Sequence, residues 1–191
     1  MLEFLIALAI IIIAASISLP MLGTSLQHSQ QELLPAQLLH TIQFARSEAI
    51  LHHQPISICH SDDHISCHGE WQQGQIIFLD PQNEGSPATP NQIISVQQFS
   101  SATGRLFWQS FPNEIEYLQF TADGMTQIED GSFYYCLPKN KNPSWAILIS
   151  KSGRAREILP NKNGEVLDEK GQRLGCPVLL NESPFGSMRQ L

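Results

Sequence analysis

Leu2-Glu3-Phe4-Leu5-Ile6-Ala7-Leu8-Ala9-Ile10-Ile11-Ile12-Ile13-Ala14-Ala15-Ser16-Ile17-Ser18-Leu19-Pro20 is the stretch on which the fold turns. From Phe4 to Leu19 it carries no charge, and Ser16 and Ser18 are its only polar residues. With Met21-Leu22 beyond the proline it reaches the roughly 20 residues that a helix needs to cross a bilayer. A cleaved secretory signal would need a basic leading region and a small-residue cleavage site. No Lys or Arg precedes Arg46, and the first charge is the acidic Glu3. An acid at the edge of an apolar helix is costly to keep and marks a functional position. Residues 1–22 are therefore expected to form a transmembrane helix segment.

Residues 23–53 read as the amphipathic continuation of that helix. Leu34, Leu38, Ile42, Ala45 and Ala49 recur at three- and four-residue steps, an apolar stripe for a sheet to cover. Pro35 should bend the helix or open a fresh first turn, and Pro55 should end it, because the residue before a proline disfavours the α region. Beyond Pro55 the pattern changes to short β-like runs near 55–60, 74–79, 92–99, 105–109, 115–121, 124–129, 132–138, 144–151 and 154–159. Turn pairs such as Asp123-Gly124, Asp130-Gly131 and Ser152-Gly153 separate them. The expected fold is α+β: one long helix packed on an antiparallel β domain over 54–160, with 161–191 an irregular tail held by Cys176.

The start of the chain, Glu3 within its apolar run and then Pro20, resembles the N-terminal helix of type IV pilins and type II secretion pseudopilins. Phe44-Ala45-Arg46-Ser47-Glu48-Ala49-Ile50 resembles the helix end of the GspH/FimT branch of that family. Trp71-Gln72-Gln73-Gly74-Gln75-Ile76-Ile77-Phe78-Leu79-Asp80 resembles its tryptophan–glycine lead into a strand. The resemblance implies a pilin-like fold, with Glu3 helping subunits dock during assembly. It also implies an inner-membrane, single-pass anchor, a periplasmic domain, other pilins of the filament as partners, and a prepilin peptidase that removes a basic leader. No leader precedes Met1, so the true start is expected upstream.

The chain carries 11 Lys/Arg and 18 Asp/Glu, a net charge of −7, which opposes general nucleic-acid binding. The distribution says more. Eight basic and four acidic residues fall between 139 and 173, a net of +4, leaving −11 for the rest. Residues 144–158 read as a hairpin turning at Ser152-Gly153. A two-residue turn would set Lys151 opposite Arg154, with Arg156 on the same face above Ile147, Ile149 and Ile158. Like charges set opposite each other destabilise a sheet, so three cations together suit an anion. Gly153-Arg154-Ala155-Arg156 further resembles the Gly-Arg-x-Arg motif of FimT-type pilins, which bind DNA in natural transformation. Duplex DNA is then the implied partner, contacted by Lys151, Gly153, Arg154 and Arg156 through its backbone. Three phosphate contacts would give log affinity a slope against log salt of about −3. The competing reading pairs these arginines with Glu157, Glu165 or neighbouring subunits in a purely structural pseudopilin.

Cys59, Cys67, Cys136 and Cys176 are an even set on a chain whose anchor implies an oxidising compartment. The expected pairs are Cys59–Cys67 and Cys136–Cys176. His52, His53, His60, His64 and His68 surround the first pair, so a zinc site there is the alternative, although the spacing follows no standard zinc pattern. No phosphate-binding glycine loop, GxSxG or HExxH occurs. No enzyme activity and no cofactor are expected.

Removing residues 1–27 should leave a soluble, folded monomer, because the rest of the helix keeps a sheet against its stripe. Gel filtration and circular dichroism in oxidising buffer check this; an insoluble product would move the boundary.

Overall fold

A computed structural model describes residues 33–99, 104–112, 114–128 and 130–177. The apolar run 2–22, with Glu3 and Pro20, lies outside them. Among the described residues no helix is long and apolar enough to cross a membrane. Helix α1 covers 33–52 and includes Pro35. Its stripe of Leu34, Leu38, Ile42, Ala45 and Ala49 is buried throughout. It ends where His53 turns left-handed at φ 51° and the Gln54 N–H donates to the Ala49 carbonyl at 3.3 Å, just before Pro55.

Ten strands follow: β1 (Ile56–His60), β2 (Gln75–Leu79), β3 (Ile93–Gln97), β4 (Arg105–Phe111), β5 (Tyr117–Phe120), β6 (Asp130–Cys136), β7 (Trp145–Ser150), β8 (Ala155–Ile158), β9 (Val166–Leu167) and β10 (Arg173–Leu174). They form two four-stranded antiparallel sheets, ordered β3-β2-β1-β5 and β4-β6-β7-β8, and the small pair β10-β9. Both larger sheets turn apolar faces to α1. Ile56, Ile58, Ile77, Leu118 and Phe120 of one share a core with Phe133, Tyr135, Trp145, Ile147 and Ile149 of the other. Alternation along each strand produces these faces, and the helix stripe seals them.

A buried carboxylate locks the first sheet. Asp80, only 2% exposed, accepts hydrogen bonds from Ser57 Oγ (2.7 Å), Gln119 Nε2 (2.7 Å), Glu84 N (2.8 Å) and Gly85 N (2.9 Å). Three segments thus converge on one charge, which is the condition for keeping it out of water.

Two expected elements differ. Of the strand expected over 124–129, the described residues 124–128 form none. Gln127 N donates to Gln119 O and Thr126 N donates to Lys151 O, so this segment serves two sheets and ladders with neither. Gly124, at φ 76°, turns the chain into it. The tail is also less irregular than its composition suggests. Val166 and Leu174 on β9 and β10 are buried against Tyr134, Ala146 and Leu148, on the outer face of the second sheet. Only two residues per strand belong to the ladder, too few for a periodic signal.

Disulfides close Cys59–Cys67 and Cys136–Cys176, eight and 40 residues apart. The second ties the tail to the end of β6. Replacing Cys136 and Cys176 by Ala should destabilise the domain by about 4 kcal/mol on the loop-entropy estimate. Hydrogen exchange should show protection lost first at 166–174; undiminished protection there would mean that burial alone holds the tail.

Candidate functional site

The basic hairpin is β7–β8, at the edge of the second sheet. Its register pairs Leu148 with Arg156 and Ala146 with Ile158. Ser150 N donates to Arg154 O at 3.1 Å and Gly153 N donates to Ser150 O at 2.8 Å. The turn therefore has three residues, Lys151 to Gly153, and the two-residue turn read from the sequence is corrected. That change of one residue moves partners between faces. Arg154 and Arg156 share the outer face with Leu148 and Ile158. Ile147 and Ile149 lie on the opposite face, in the core under α1, and Lys151 stands in the turn itself.

Gly153 makes this turn possible. It holds φ 74°, and a Cβ there would meet the Gly124 carbonyl oxygen at 2.1 Å. Arg46 of α1 fixes the same place. Its Nε donates to Gly124 O at 2.9 Å and its Nη2 donates to Ser152 O at 3.0 Å. The hairpin tip is thus mounted on the helix and on the 121–126 turn through backbone carbonyls. The role of Arg46 was missed in the sequence, although a lone cation on an apolar-striped helix is the signal that could have revealed it.

The three candidate cations differ. Lys151 and Arg154 are exposed, and their side chains have no partner among the described residues. Arg156 is engaged. Its Nε and Nη2 donate to Glu169 Oε1 at 3.2 and 3.1 Å, and Nη2 also reaches Oε2 at 3.1 Å. Glu169 sits in the turn of the β9–β10 hairpin, where the sequence alone reads Asp168-Glu169 as solvated loop charges. Other basic residues of the window are also paired: Arg173 with Glu165 at 2.9 Å and Lys170 with Asp130 at 3.6 Å.

The histidine-rich loop holds a disulfide where a zinc site would need thiolates. His68 lies between Asp62 (2.5 Å) and Asp63 (3.0 Å). Hydrogen bonds from the Ser66 and Ile65 amides hold the Asp63 carboxyl well below the usual carboxylate range. These three side chains are all exposed. A cleft of about 630 Å³ runs along β4 past Trp71 and Trp108. Its Glu70 and Arg105 form an ion pair.

A family model described as type II transport protein GspH matches residues 36–153. The chain belongs to the GspH family. Its match spans α1 from residue 36, the first sheet, β4, β6 and β7 of the second and the hairpin turn as far as Gly153, while Arg154 and β8 with Arg156 fall just past its end. The crystal structure of the type IV minor pilin FimU from Pseudomonas aeruginosa is similar at 25% identity and a TM-score of 0.50, covering 71% of this chain and 92% of that one. The solution structure of E. coli GspH has 16% identity and a TM-score of 0.47, covering 69% and 89%. No curated protein matches the chain in sequence. A GspH-family chain is a minor pilin or pseudopilin, a structural subunit that associates with other pilins in a filament.

Gly153→Ala should destabilise the domain by about 2 kcal/mol, since a left-handed residue gains a side chain where a carbonyl already lies. Thermal unfolding measures it. A melting temperature equal to that of the unaltered chain would show that the tip can shift away from Gly124.

Proposed function

We propose that this chain is a minor pilin, anchored in the inner membrane by residues 1–22, that binds DNA for uptake through the tip of the β7–β8 hairpin. Glu3 would dock it among other pilins, as the resemblance of the N-terminus implies. The observation that carries the reading is the pair of exposed cations without a partner among the described residues, Lys151 in a turn that Arg46 holds in place and Arg154 beside it. A fixed mount lowers the entropy lost when a flexible ligand settles on it. Arginine suits phosphate because its planar fork donates to two oxygens at once. The tip offers no aromatic platform for bases, so contact would run along the backbone with little sequence preference.

A purely structural pseudopilin is the second reading. The Arg156–Glu169 pair favours it, because one of the three cations already has an anion.

Full-length chain in non-ionic detergent should shift duplex DNA in a gel. Two open cations give log affinity a slope of about −2 against log salt, rather than −3. Lys151→Ala with Arg154→Ala should remove most of the binding and leave the melting temperature unchanged, because both side chains are exposed. Unaltered binding in the double variant would sink the DNA reading and leave the structural one.

A further inference from the structure

The turn of the β9–β10 hairpin places a carboxylate on Arg156, the guanidinium that shares a face with Arg154. Glu169 offers both oxygens to Arg156, as a phosphate would. Its position is built. Asp168 Oδ1 accepts from Lys170 N at 2.9 Å and from Gln172 N at 2.7 Å, which shapes the turn. On its far flank Lys170 lies over the Phe111 ring, 2.9 Å from the centroid, and reaches Asp130. Below it Val166 and Leu174 are buried, and Cys136–Cys176 closes the base. Glu169 is therefore presented to Arg156 from a held turn.

We propose that Glu169 is an internal competitor for the DNA site, an anion that occupies Arg156 until a phosphate displaces it. The inference rests on the DNA-binding reading above. Arg156 and Glu169 side chains are 51% and 32% exposed, so the pair is solvated and weak enough to exchange. A single small anion gains little by exchanging one exposed pair for another. A polyanion that already touches Lys151 and Arg154 brings its next phosphate at high local concentration and can take the third cation. Glu169 thus selects for extended polyanions over isolated phosphate, and it sets how many contacts DNA makes.

The test compares the full-length chain with Glu169→Ala, Glu169→Gln and Glu157→Gln, using a 30-base-pair duplex of arbitrary sequence at about 50 to 200 mM salt. Glu157 is exposed on the opposite face of β8, so its variant removes the same charge without freeing Arg156. Both Glu169 variants should bind about two- to fivefold more tightly, the range an exposed ion pair allows. Their salt slope should steepen by at most about one unit, because the duplex already displaces Glu169 part of the time in the wild type, while Glu157→Gln keeps the original slope. Adding Arg156→Ala to Glu169→Ala should cancel the gain. Wild-type binding with no change on altering Glu169 overturns the competitor and leaves the DNA reading standing. Binding by neither the wild type nor the Glu169 variants overturns both. Binding by the Glu169 variants alone supports the competitor in its strongest form.

Discussion

Arg46 makes two hydrogen bonds on which the assembly of this domain turns. One goes to Gly124 O, in the segment that leaves the first sheet, and the other to Ser152 O, in the hairpin of the second. Its own backbone belongs to α1, whose stripe seals both apolar faces. A single side chain thereby sets helix, first sheet and second sheet against each other at one end of the molecule. Hydrogen bonds from a charged donor to otherwise open carbonyls are the strong kind, and these two leave little play. The Thr126 N–H bond to Lys151 O acts at the same end, and in the shared core the two sheets meet through side-chain packing, which resists sliding less sharply than a directed bond.

The large features were legible because their causes are periodic. An apolar step of three and four residues announced α1, and alternation announced the long strands. The sequence reading failed where cause and pattern part company. Residues 124–129 alternate like a strand, yet Gln119 O and Lys151 O draw their amides toward different sheets. Ser152-Gly153 reads as a two-residue turn, but the left-handed Gly153 comes third, and the register follows it. The β9–β10 pair was hidden because turn residues outnumber its ladder residues. Glu169 was hidden for a further reason. No local rule brings it to Arg156, 13 residues away; only the tail folding back over the second sheet does so.

The charge pattern gains meaning from the same geometry. The basic window is not one patch of eight equal cations. Arg156, Lys170 and Arg173 are each matched by an acid, so the net charge of the region overstates what an incoming anion meets. Lys139, Lys141, Lys151, Arg154 and Lys162 are exposed without an acid beside them among the described residues, and of these Lys151 and Arg154 sit at the hairpin tip.

Gly153 has a consequence for how such a protein can change over generations. Its contact with Gly124 fixes the backbone of the tip, so drift there is punished at once. The side chains at positions 151 and 154 beside it are exposed and make no hydrogen bond or ion pair among the described residues. Their side chains can be exchanged without repacking a core. The tip is therefore a rigid socket with replaceable fittings. Lineages sharing this frame could acquire or discard an affinity through two codons, while their place in the filament stayed untouched.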